Sequence, residues 1–100
     1  MENKLTFAPK AKEELIDAIF FYNEISNIVA TNFFSAIKTA EIKLLENPYG
    51  YQKIYKNFRH FVINGYPYKL IYYFDLMTNE IIIISVFHTS RNPKEWKKII

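Results

Sequence analysis

Between Tyr66 and Trp96 the chain reads YPYKLIYYFDLMTNEIIIISVFHTSRNPKEW, and no other stretch restricts the fold as much. Tyr68 to Asp75 is dense in aromatic and β-branched residues. Glu80 to Phe87 holds five isoleucine or valine residues with Ser85 among them. Such side chains fit a pleated surface, so both runs are expected to be strands, joined by a turn at Leu76-Met77-Thr78-Asn79. Neither run alternates between apolar and polar. Near-continuous apolarity belongs to strands covered on part of both faces, in the middle of a sheet. The second run ends in His88-Thr89-Ser90-Arg91-Asn92, closed by Pro93. A sheet end is a rigid mount for such groups.

The rest of the chain supplies what a central strand pair needs. Leu5 to Ala8 is a short strand candidate, and Pro9 suits the first turn of a helix, where its missing N–H costs nothing. From Lys10 to Glu24 the residues Ala11, Leu15, Ala18, Ile19 and Tyr22 share one helical face. Ile16, Phe20 and Phe21 widen the apolar stripe beyond a single core contact, into either a broad core face or a surface for a partner. Ser26 is placed to cap a second helix running to about Glu46, with Ala30, Phe33, Ile37, Ala40 and Leu44 recurring every three or four residues. Asn47-Pro48 stops that helix. Tyr49 to Asn57 reads as a polar and aromatic connector. Phe58 to Ile63 reads as a further strand, and Asn64-Gly65 is a hairpin signal because both residues tolerate positive φ. Lys94 to Ile100 is expected to form one or two helical turns anchored by Trp96. The predicted layout is β-α-α-β-β-β: an α+β, two-layer domain over residues 1–100. A helix hairpin covers one face of a mainly antiparallel four-stranded sheet, leaving the other face free to bind something.

Composition narrows the function classes. One hundred residues make one domain, and a chain half hydrophobic is too apolar for disorder. It has no cysteine for thiolate chemistry or a disulfide framework. No apolar run approaches the roughly 18 residues that span a bilayer, and the N-terminus lacks the features of a signal peptide. A cytoplasmic protein without membrane partners is the expectation. Residues 1–46 carry five lysines against seven acids, and residues 47–100 carry eight lysines and arginines against three. The basic side belongs to the C-terminal half, where it can attract nucleic acid or an acidic protein segment.

No phosphate-binding glycine loop, metal-ligand cluster or nucleophile elbow is present, and no metal or cofactor is expected. What remains is a set of cations and acid/base groups near the sheet, Lys53, Lys56, Arg59, His60, His88 and Arg91, interleaved with tyrosines that include Tyr72. Cations hold phosphate and rings stack on bases, so the set suits a phosphodiester ligand. Metal-free RNA cleavage requires a base, an acid and cations around the phosphorus. His88, Arg91 and Arg59 are the candidate catalytic residues. Lys53, Lys56, Arg59, Tyr72 and Arg91 are candidates for contacts to nucleic acid or another target. The plainer readings are an Arg91 that bonds local backbone carbonyls, a structural His88, solvated lysines and tyrosines packed in the core.

The stretches FAPKAKEELIDAIFFY, LLENP, FRHFVINGYPYKLIYYF and EIIIISVFHTSRNPKEW together resemble the RelE/ParE superfamily of type II toxins, also described as plasmid stabilisation proteins. The terminal H-x-x-R-x-P-x-x-W is more similar to the ParE-like branch. No tyrosine follows Tyr73, whereas RelE-like members usually place a catalytic one near the end. The resemblance implies a toxin neutralised by a cognate antitoxin, for which Ile16, Phe20 and Phe21 are the expected docking residues. It implies inhibition of DNA gyrase as the function. The alternatives are a RelE-like, ribosome-dependent mRNA endoribonuclease and an inactive member acting as a binding module. A further expectation is that Arg59 and Arg91 meet on one rim of the open sheet face.

Overall fold

The computed structural model describes residues 3–98. Met1 and Glu2, and Ile99 and Ile100 of the expected C-terminal turns, lie outside them. The elements in chain order are β1 (Lys4–Phe7), α1 (Pro9–Ile25), α2 (Asn27–Glu46), β2 (Lys53–Tyr55), β3 (Phe58–Val62), β4 (Tyr68–Asp75), β5 (Glu80–His88) and α3 (Lys94–Lys97). They form an α+β domain in which the α1–α2 hairpin packs on a mostly antiparallel sheet.

Local chemistry explains the helix boundaries. Pro9 opens α1. A single residue, Ser26, separates the two helices, and its Oγ accepts from the N–H groups of Ile28 and Val29, caps that offset orphan donors of α2. Asn47, ahead of Pro48, ends α2 with a last N–H bond to the Lys43 carbonyl. The helices present Ala11, Ala18, Phe33, Ile37, Ala40 and Leu44 to one core. Each of the larger side chains contributes roughly 1.5–3 kcal/mol when fully buried.

The sheet has five strands in the order β1-β5-β4-β3-β2, one more than the sequence suggested. The extra strand is Lys53–Tyr55, inside the expected connector. It pairs antiparallel with β3 through Lys53–Arg59 and Tyr55–Phe58. Its turn was hard to foresee because the left-handed position is held by Lys56, with φ of 49°, and not by glycine. Asn64-Gly65 does turn the chain, but only Gly65 takes a positive φ, 87°. The bond from the Tyr66 N–H to the Ile63 carbonyl closes a four-residue turn around them. β1 runs parallel to β5, from Lys4–Glu80 to Phe7–Ile83.

The two long strands are apolar on both faces because both faces are occupied. Leu70, Tyr72, Ile81, Ile83 and Val86 meet the helices. Ile71, Ile84 and Phe87 point the other way and are covered by Trp96 of α3, with Ile54, Tyr55 and Phe58 packed around them. The second face is therefore covered, contrary to the expectation that it would be left free. The C-terminal turn and β2 close a smaller aromatic cluster over it.

Candidate functional site

The register sets where the candidate cations go. Arg59 pairs with Tyr72, and His88 pairs with Tyr68. These rows lie four residues apart along β4, roughly 13 Å at about 3.3 Å per residue, and Arg91 lies three residues beyond His88. The structure thus separates Arg59 from His88 and Arg91, against the expectation of one shared rim. Each group has its own surroundings.

Arg59 sits at the corner where α2 hands over to β2. Its Nη1 donates to the carbonyls of Tyr51 at 2.7 Å and Tyr49 at 3.3 Å. Its guanidinium lies 5.4 Å from the Tyr49 ring centre, within cation–π range. Tyr72 braces the same corner from below, its hydroxyl donating to the Pro48 carbonyl at 2.8 Å. Tyr72 is fully buried, and burial pushes its phenol up to about 12. This corrects its place among the target-contacting residues: a side chain sealed into the core cannot stack on a ligand. A surface cleft of about 260 Å3 lies beside Arg59, lined by Tyr49, Lys53, Asn57, Phe74 and Leu76. Lys53 and Lys56 are exposed here, Lys56 against the Tyr55 ring. The carbonyls that hold Arg59 carry no net charge, so the corner keeps a cationic character.

Arg91 is placed differently. β1 ends at Phe7, opposite Ile83, and β5 runs on without that neighbour. An extra residue in β5, at Ile84, shifts the register to β4 and turns both Ser85 and Val86 toward α1. Glu14 of α1 meets them there. Its Oε1 accepts from the Ser85 hydroxyl at 2.8 Å and from the Val86 N–H at 3.1 Å. Its Oε2 accepts from Arg91 Nη1 at 3.0 Å, and Arg91 Nε reaches Glu95 at 2.9 Å. Burial pulls the Arg91 pKa down, but the bonds to Glu95 and Glu14 outweigh it and the net shift is upward. The guanidinium also lies 5.2 Å from the Phe87 ring centre. Glu14 sits at core spacing on α1, between Ala11 and Ala18. An acid at that spacing was the available signal for this network, since a buried carboxylate requires partners.

His88 lies next to this network. Its Nδ1 accepts from the Ser90 N–H at 3.1 Å, with the Ser90 hydroxyl at 2.7 Å, so the neutral ring carries its proton on Nε2. Its ring stacks edge-on against Tyr68. His88 and Arg91 share a cleft of about 270 Å3 with Glu14, Asp17, Ala18, Phe21, Tyr68 and Val86. Burial raises the Tyr68 pKa, Arg91 opposes that, and Asp17 and Glu14 add to the rise. On the outer side of α1, Ile16, Phe20 and Phe21 are 46, 65 and 56 per cent exposed, too open to belong to the core. Among the described residues, no group of three or more histidines and acids could hold a metal, and no helix is long and apolar enough to cross a membrane.

Comparison with known proteins agrees with this architecture. A chain of the chromosomal ParDE TA system from P. aeruginosa superposes with a TM-score of 0.70 at 17% identity, covering 87% of this chain and 96% of that one. The isolated E. coli RelE toxin superposes with a TM-score of 0.61 at 17% identity, covering 98% and 99%. No curated protein gives a significant sequence match. The family model for the ParE toxin of the type II toxin–antitoxin system parDE matches residues 5–93, spanning α1, α2, all of the sheet but Lys4, and Arg91. The chain belongs to the ParE toxin family, within the RelE/ParE superfamily.

Proposed function

We propose that this protein is the toxin of a type II toxin–antitoxin pair and acts on DNA gyrase rather than on mRNA. The observation that carries the choice between targets is the separation of Arg59 from His88 and Arg91. A metal-free nuclease needs its base, its acid and its phosphate-holding cations around one phosphorus. Here Arg59 lies opposite Tyr72 and His88 opposite Tyr68, about 13 Å apart along β4, Nδ1 of His88 is taken by Ser90, and Arg91 is held by two carboxylates. The match to the ParE family model favours the same reading.

In this reading the corner formed by Lys53, Lys56 and Arg59 is the surface that meets the target. It combines unneutralised cations with an exposed aromatic ring, Tyr49. The exposed stripe of Ile16, Phe20 and Phe21 on α1 is the surface for a cognate antitoxin, since apolar area of this kind on a small chain calls for a cover. Regulated expression in bacteria tests the proposal. DNA-damage induction with trapped gyrase–DNA complexes is the expected outcome. Rapid loss of translation with ribosome-phased mRNA cuts would assign the chain to the nuclease branch instead. Folded protein without growth arrest would leave only a binding module.

A further inference from the structure

The cleft at the end of β5 differs from the surface its sequence suggested. His88 and Arg91 mark it as a place for phosphate, yet its charge balance is the reverse. Glu14 and Asp17 line it, and Glu95 holds the far side of Arg91, so three carboxylates stand against one guanidinium. An entering phosphate would have to displace Arg91 from Glu14 and Glu95 and would then face Asp17. Glu14, bonded to Ser85 and Val86, cannot swing away to make room. Asp17 is exposed and makes no ion pair or hydrogen bond with the described residues. It is thus available to an incoming cation.

The walls specify the cation further. Phe21 lies four residues after Asp17, so both project from the same side of α1 into the cleft. Tyr68 and His88 form the opposite wall, stacked edge to face. A flat guanidinium between aromatic rings gains cation–π contact and can pair with a carboxylate through a forked hydrogen bond, which an ammonium group cannot do. Next to this row, Ile16 and Phe20 are spaced four residues apart and exposed. We infer that the cleft receives an arginine side chain from a partner polypeptide whose apolar residues cover Ile16 and Phe20, with Asp17 as the paired carboxylate and Phe21 and Tyr68 as the stacking walls. The inference deepens the assignment of α1 to the antitoxin and rests on it for the partner's identity. The chemistry of the cleft stands on its charge balance and aromatic walls, whoever the partner is.

The test uses the purified protein and N-acetyl-arginine amide, followed by backbone amide shifts in NMR. Saturating shifts at Asp17, Phe21, Tyr68 and His88 are expected, with a dissociation constant in the millimolar range for one isolated contact. The citrulline analogue, the same shape without the charge, should shift these signals at least tenfold more weakly, and inorganic phosphate should not shift them. Asp17→Lys, at an exposed position, should abolish the effect. Arg91→Gln should strengthen it by removing a like charge. Equal response to arginine and citrulline, no response to either, or a response to phosphate would overturn the inference. The docking of an antitoxin on α1 is decided separately: Phe20→Asp should remove rescue by a cognate antitoxin. Loss of rescue without arginine binding would retain the surface and reject the cleft.

Discussion

Arg59 and Arg91 are the same side chain put to opposite electrostatic use. Arg59 donates to two neutral carbonyls and rests near the ring of Tyr49, so its positive charge is held in place and not cancelled. Arg91 faces Glu14 and Glu95, and its charge is spent within the molecule. A hydrogen-bonding partner fixes a guanidinium in either case. Only the partner's charge decides whether the corner remains attractive to an anion. A count of basic residues near a sheet end misses this distinction, because it treats both arginines as equivalent.

The comparison is most exposed to a change at Glu14. Replacing Glu14 with Ala removes the acceptor for Ser85 and Val86 and leaves Arg91 half paired. Unfolding in urea should show a loss of about 2–4 kcal/mol. Glu14→Gln should recover part of that through its remaining carbonyl oxygen. A loss below about 0.5 kcal/mol would mean that the carboxylate is not the link between α1 and β5. At the other end, Arg59→Ala should cost about 1–2 kcal/mol by orphaning the Tyr49 and Tyr51 carbonyls, and should abolish growth arrest with the chain still folded. Arrest that survives would separate the corner from the target. Tyr72→Phe sharpens the same corner: losing the bond to the Pro48 carbonyl should cost about 1 kcal/mol and weaken arrest only as far as the connector loosens.

Arg91→Ala should do less to stability, about 0–1 kcal/mol, because the Arg91 side chain is 41% exposed and Glu14 keeps its bonds to Ser85 and Val86. Growth arrest should persist. Arrest lost in a stable Arg91→Ala variant would place Arg91 among the target contacts and reverse the contrast drawn between the two arginines. The smallest effect concerns neither end. His60, on β3 between them, has its pKa lowered by burial and then by Lys69. The unfolded chain therefore binds the proton more readily than the folded one. This penalty is absent above the ordinary histidine value of about 6.5 and grows as pH falls below it. Urea midpoints should fall modestly between about pH 7 and pH 5, and less so in His60→Gln.

The fold was legible where local pattern and tertiary packing agree. Helical spacing placed Ala11, Phe33, Ile37 and Leu44 on the buried faces, and Ser26 marked the break between helices. Apolar runs free of polar alternation announced that β4 and β5 would be central. β2 stayed hidden because three residues carry little periodicity and its turn relies on a lysine with positive φ.

The sequence by itself determined the two-layer architecture, since burial of periodic apolar residues follows from their order along the chain. It also determined which residue types stood near the sheet ends. Tertiary structure alone decided how those residues are used. Strand register moved Arg59 away from His88 and Arg91, and an inserted residue at Ile84 turned Ser85 and Val86 toward Glu14, 71 and 72 positions earlier in the chain. Pairing between charges depends on distances of a few ångströms between segments remote in sequence, and spacing along the chain holds no record of those distances.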